Sequence, residues 1–179
     1  MKKITIVDYG SGNVLSAQKS FIKIAKDNNI EVDVLISKKL NDVKDSTHVV
    51  LPGQGAFSTC MNGLKKTDGL IDELCEFALI KKKPFLGICV GMQMLAKMSE
   101  ENGDHEGLGW IDGQIKLLPG DNLKLPQMGW NLVIPTNSKY NNLISTKNDY
   151  YFVHSYYFEC ADKDNILAET KYGTNFASI

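Results

Sequence analysis

The amino-acid sequence predicts an α/β fold: a parallel sheet flanked by helices in the first half of the chain, with additional antiparallel strands in the second half. Two observations carry this. Short β-branched runs alternate with helix-period segments up to the run PFLGICVGMQML, and from Gly113 onward short strand-like runs follow one another across turns. Strands separated by helices need crossover connections, which lay helices on the faces of a parallel sheet.

Taken in order, residues 4–8 (ITIVD) read as a buried strand, and residues 13–27 (NVLSAQKSFIKIAKD) as an amphipathic helix turning Val14, Ala17, Phe21, Ile24 and Ala25 toward the core. VDVLI (32–36) and HVVLP (48–52) are further strands, GLIDELCEFALIKK (69–82) is a helix, and PFLGI (84–88) is a fourth strand. Beyond Gly113, the runs QIKLL, NLVI after PQMGW, YYFVHSYYFEC and ILAET are expected to add mixed or antiparallel strands to the same sheet. With no linker in between and 43% hydrophobic residues among 179, the expectation is one domain over 1–179.

Charge narrows the function. Lys and Arg number 20 against 21 for Asp and Glu, interspersed along the chain, so no basic face suited to nucleic acid is present and small molecules or proteins are the expected partners. The apolar run in MKKITIVDYG is too short for a signal-peptide core or a membrane span, and the expected location is cytoplasmic. Cys60, Cys75, Cys89 and Cys160 form neither a C-x-x-C pair nor a Cys/His cluster; no disulfide framework, metal site or cofactor is expected, and three of the four read as small apolar fillers.

Cys89 is the exception. In Gly87-Ile-Cys89-Val-Gly91 the cysteine stands between a strand and a helix, the form of a nucleophile elbow, where flanking glycines let neighbouring backbone pass and the thiol is pushed outward. A helix N-terminus behind the sulfur favours thiolate. The plain alternative is a buried cysteine ending a core strand. Attack on a carbonyl also needs donors for the oxyanion. The Val90 N–H is one candidate, and the loop of LPGQGAF (51–57), with Gly53, Gln54 and Gly55, is the other unless it is an ordinary strand-to-helix turn. DYGSGNV (8–14) lacks a nucleotide-binding fingerprint and reads as a turn or partner surface.

With these motifs in hand, the chain resembles the class I (triad-type) glutamine amidotransferases. The particular likeness is to their glutaminase subunits of histidine biosynthesis, carried by VDYGSGN, LPGQGAF, PFLGICVGMQML, PQMGWN and YFVHSY. The resemblance implies a flavodoxin-like fold and hydrolysis of L-glutamine to glutamate and ammonia through a thioester on Cys89. It implies that Gln54, Gly55 and Val90 line the oxyanion hole and that Gly53, Gln93, Ser155 and Tyr156 contact substrate. It further implies ammonia transfer to a barrel-fold cyclase subunit in a heterodimer, docked on a surface with Asn13, Met128, Trp130 and Tyr151. Without the family, Gln93 reads as a solvated helix residue, Ser155 and Tyr156 as a strand edge, and Met128 and Trp130 as core.

Three histidines are present, and the resemblance assigns the base to none of them. His154 in YFVHSY matches a structural strand, and the family's His-Pro-Glu segment does not occur in the 179 residues. The expectation is a chain cut short of that segment, with little steady-state turnover of its own. A related glutaminase for sugar amidation in surface polysaccharide, or a non-catalytic glutaminase-like scaffold, are the alternative readings.

Overall fold

A computed structural model describes residues 1–120, 123–136, 143 and 147–179. The chain divides into two compact units, Met1–Leu95 and Ala96–Ile179.

The first unit alternates strand and helix as the residue periodicity requires. Strands β1 (Lys2–Val7), β2 (Val32–Ser37), β3 (His48–Gly53) and β4 (Phe85–Cys89) form an all-parallel sheet in the order β2-β1-β3-β4. Between them run helices α1 (Val14–Asp27), α2 (Leu40–Lys44), α3 (Phe57–Lys65) and α4 (Leu70–Cys75), and α5 (Val90–Gln93) follows β4 directly. Ile6, Val7, Val49, Val50 and Leu51 are almost wholly buried, as expected of strands covered on both faces.

Helix α1 begins at Asn13, whose side chain accepts the Ser16 N–H at 3.1 Å and so satisfies one of the orphan donors of the first turn. Val14, Ala17 and Phe21 pack on the cluster of Ile6, Val34 and Val50, and Ala25 is buried. Ile24 does not join them and is 59% exposed. At about 100° per residue it falls on the rim of the stripe centred on Val14, Phe21 and Ala25, where a long side chain turns outward. The helix expected over 69–82 ends early as an α-helix: at Glu76 it passes into a π-helical turn, Glu76–Ile80, in which the Lys81 N–H reaches back to the Glu76 carbonyl at 2.9 Å.

The second unit contains β5 (Met98–Ser99), β6 (His105–Glu106), β7 (Gly113–Leu117), β8 (Gln127–Pro135), β9 (Asn148–His154), β10 (Tyr156–Cys160), β11 (Ala168–Tyr172) and β12 (Thr174–Ala177). These strands make their own mixed sheet, ordered β6-β5-β7-β10-β12-β11-β8-β9, instead of extending the parallel one. Among the described residues only the β5–β7 pair in it is parallel. The run YYFVHSYYFEC is two strands divided at Ser155, because β9 pairs with β8 while β10 pairs with β7 and β12.

Leu51 lies at 0% exposure in the middle of the first unit, so Leu51→Ala should cost about 2–5 kcal/mol, whereas Ile24→Ser should stay within about 0.5 kcal/mol. Denaturant titration of the two variants checks this.

Candidate active site

The site begins with a backbone conformation. Cys89 closes β4 at φ 56°, ψ −120°, a region that an L-residue occupies only under constraint, at a cost of about 1–3 kcal/mol. The constraint is close backbone packing on each side. A Cβ on Gly87 would lie 2.7 Å from the Gly91 carbonyl oxygen and the Met92 Cα; one on Gly91 would overlap the Leu51 carbonyl; one on Gly53 would overlap the Gly91 nitrogen. The first turn of α5 therefore sits directly on the end of β3, with Gly53 in register with Cys89. The strand ends thus bring Gly53, Gln54 and Gly55 beside Cys89 and Val90, as the sequence motifs require.

Cys89 is exposed, yet the protein packed around its sulfur raises the thiol pKa above the ordinary value. The Val90 N–H bonds the sulfur and acts in the opposite direction, and the neighbouring Cys60 adds to the rise. This corrects the expectation of a thiolate favoured by a helix dipole. Helix α5 is a single turn, Val90–Gln93, too short to build an appreciable macrodipole, so desolvation wins. Reaction at neutral pH then needs a group that removes the thiol proton.

The loop between β1 and α1 closes over the end of β3. Gly10 and Gly12 take φ 86° and 90°, a left-handed conformation that lets the chain fold back, and Gly12 lies so near Pro52 that a Cβ would be 3.1 Å from its carbonyl carbon. The Tyr9 hydroxyl donates to the Pro52 carbonyl at 2.5 Å, and the Ser11 hydroxyl donates to the Gln54 carbonyl at 2.8 Å. Cys60, fully buried on α3, places its sulfur 3.2 Å from Ser11 Oγ and 3.5 Å from the Gln54 oxygen. Burial, and next the adjoining Cys60, push the Tyr9 hydroxyl far above its ordinary pKa, so it remains a donor. Tyr9, Ser11 and Cys60 were not among the residues singled out from the sequence. The two glycines bracketing Ser11 were the available signal for the loop, but nothing local marks Cys60.

The other expected residues divide between the units. Gln93 ends α5 and is partly exposed, and Asn13 is exposed and caps α1. In the second unit, Ser155 lies between β9 and β10 with its carbonyl accepting the Leu118 N–H at 2.9 Å, and Tyr156 opens β10. Met128 and Trp130 are 64% and 73% exposed on β8, so the reading of these residues as core is set aside. Trp130 faces Tyr151 of β9 with ring centroids 5.7 Å apart at 78°, and Met128 pairs with the exposed Val153.

His154 Nδ1 lies 2.9 Å from the Tyr156 carbonyl and Nε2 2.9 Å from the side-chain amide of Gln127, and burial lowers its pKa. The ring is thus oriented by its neighbours within the second unit's own strands. His48 begins β3 while Gly53 ends it, which separates His48 from the elbow by about 17 Å of strand.

Comparison with known proteins agrees with this geometry. Residues 5–179 match the family model described as glutamine amidotransferase class-I. The chain is similar to two proteins named imidazole glycerol phosphate synthase subunit HisH. One, from Pelagibacter ubique, is 45% identical over 96% of this chain and 83% of the relative; the other, from Rhodospirillum rubrum, is 42% identical over 96% and 82%. A solved structure titled crystal structure of glutamine amidotransferase superposes with a TM-score of 0.67 at 14% identity, covering 96% of this chain and 85% of that one, and shares its fold. The chain belongs to the class-I glutamine amidotransferases and is a glutaminase-type enzyme subunit.

With its thiol pKa raised, Cys89 should alkylate with a diazo-ketone glutamine analogue at a rate that climbs with pH through a midpoint above that of an ordinary thiol. Peptide mapping should place the label on Cys89 and leave the fully buried Cys60 unmodified; a midpoint below neutrality would contradict the desolvated site.

Proposed function

We propose that this chain is the glutaminase subunit of an imidazole glycerol phosphate synthase, which hydrolyses L-glutamine and passes the ammonia to a barrel-fold cyclase subunit in the cytoplasm. The observation that carries this is Cys89 at φ 56°, ψ −120°, locked between Gly87 and Gly91 against Gly53. The names of its similar relatives support the choice of acceptor. Both units serve one glutaminase domain in this reading, consistent with a family match running from residue 5 to 179. Among the described residues no helix is long and apolar enough to cross a membrane.

In the first step the Cys89 sulfur, relieved of its proton, attacks the side-chain amide carbon of glutamine. The negative charge that develops on the carbonyl oxygen is met by the N–H groups of Val90 and Gln54, the latter next to Gly55. Collapse breaks the carbon–nitrogen bond, the nitrogen leaves as ammonia with an added proton, and water cleaves the γ-glutamyl thioester to glutamate and free thiol. In this reading Gly53 and Gln93 contact the substrate. Ammonia that met bulk water would be protonated and lose its lone pair, which is a chemical reason for transfer inside a complex.

The docking surface is the exposed face of β8 and β9. Met128, Trp130 and Leu132 alternate on one side of β8, and their cross-strand neighbours Val153 and Tyr151 add to it. Exposed apolar residues in contiguous array mark interaction surfaces, and Trp and Tyr are the commonest anchors of such contacts. Asn13 is a further partner contact implied by the family resemblance.

Two measurements test the proposal. Glutamate release should be slow for the subunit alone and rise about 10²–10³-fold with a barrel cyclase and its nucleotide substrate, the worth of one oxyanion donor brought into line; equal rates would defeat the gating. Trp130→Ala should weaken the complex by about 2 kcal/mol or more in a titration calorimeter. In the active protein His154→Ala should keep turnover within about tenfold, since loss of a true general base costs about 10²–10⁴.

A further inference from the structure

We infer that Ser11 and Cys60 are positioning residues for the oxyanion loop, holding the Gln54 carbonyl between a hydroxyl and a thiol so that the preceding peptide can present its N–H to the substrate. This rests on the glutaminase reading and adds to it two residues from elements that do not carry the nucleophile.

The geometry is a three-membered polar contact. Ser11 Oγ lies 2.8 Å from the Gln54 oxygen, Cys60 Sγ lies 3.5 Å from the same oxygen, and the two side chains are 3.2 Å apart. A hydroxyl has one hydrogen and two lone pairs and a thiol one hydrogen, so Ser11 donates to the carbonyl while the Cys60 thiol hydrogen is shared between that carbonyl and Ser11 Oγ. Neither group is free to wander. Ser11 is set by left-handed glycines on both sides, one of them packed on Pro52, and the preceding Tyr9 is tied to the Pro52 carbonyl. Cys60 is fully buried on α3 among Phe57, Met61 and Leu64.

The consequence follows from the order of dihedrals along the chain. The Gln54 carbonyl belongs to the peptide joining Gln54 to Gly55, whereas the Gln54 N–H belongs to the peptide joining Gly53 to Gln54. Pinning the first peptide leaves the second to rotate about Gly53 ψ and Gln54 φ alone. Gly55, at φ 90° with open space where a Cβ would stand, would otherwise let the whole loop pivot. The clamp thus confines motion to the one peptide that carries the donor. It touches no substrate atom, so it acts on the developing charge and leaves ground-state binding alone.

The test uses the active protein in complex with a barrel cyclase and its nucleotide substrate, and γ-glutamyl p-nitroanilide, whose weakly basic leaving group reports thioester formation by colour. Ser11→Ala and Cys60→Ala should each lower kcat by about two- to tenfold, the worth of one neutral hydrogen bond, with KM unchanged. Cys60→Ser, which keeps a donor of similar size, should restore kcat, and the double alanine variant should lose less than the product of the single losses because the two groups share one acceptor. Ser11→Ala and Cys60→Ser keep the test intact where Cys60→Ala fails to fold. An unchanged kcat in Ser11→Ala, a change confined to KM, or a loss in Cys60→Ala that Cys60→Ser does not repair would overturn the clamp. An active wild-type complex that releases no p-nitroaniline and acquires no acyl group on Cys89 would overturn the glutaminase reading itself, and the clamp with it.

Discussion

The meeting of backbones at Gly53 and Gly91 is the contact on which the site depends. Parallel strands β3 and β4 end side by side, and the turn after β4 passes over the end of β3 with no room for a side chain at either glycine. That contact holds Cys89 in a conformation it would not otherwise keep. It also places the Gln54 loop next to the sulfur without any additional device. Sites at the carboxyl ends of parallel strands are common because strand ends converge there, and here the convergence is made at backbone level.

The same packing explains the chemistry of the thiol. Crowding around the sulfur desolvates the thiolate, and the one-turn α5 is too short to compensate. In the proposed glutaminase, a nucleophile held protonated at rest does not react indiscriminately. It becomes active when a base takes its proton and donors are aligned for the oxyanion. Strain at Cys89, the high thiol pKa and the tethered Gln54 loop describe a site assembled in advance but switched on late.

Much of this was legible in the sequence because steric necessity is local. Glycines at 87 and 91 around Cys89, and at 53 and 55 around Gln54, announce turns that only glycine permits. The alternation of strand and helix likewise reads directly, because each buried strand carries its own β-branched run. Ile24 was misplaced because it stands at the rim of an apolar stripe, where neighbours and not periodicity decide. Met128 and Trp130 read as core by residue type, but the side of β8 that is buried holds Gln127 and Val133, while Met128, Trp130 and Leu132 face outward. Ser11 and Cys60 were out of reach for a different reason. Their contact joins residues 49 apart in the chain, and it exists only because a glycine-hinged loop and helix α3 arrive at one carbonyl.

The central claim is that Cys89 forms a covalent γ-glutamyl intermediate. The most direct measurement is mass spectrometry of the active protein quenched in acid during glutamine turnover, with the modified peptide sequenced. A γ-glutamyl thioester on the peptide containing Cys89, absent when Cys89 is replaced by alanine, is the predicted result. Turnover that continues with no adduct on Cys89, or that survives Cys89→Ala, would contradict it.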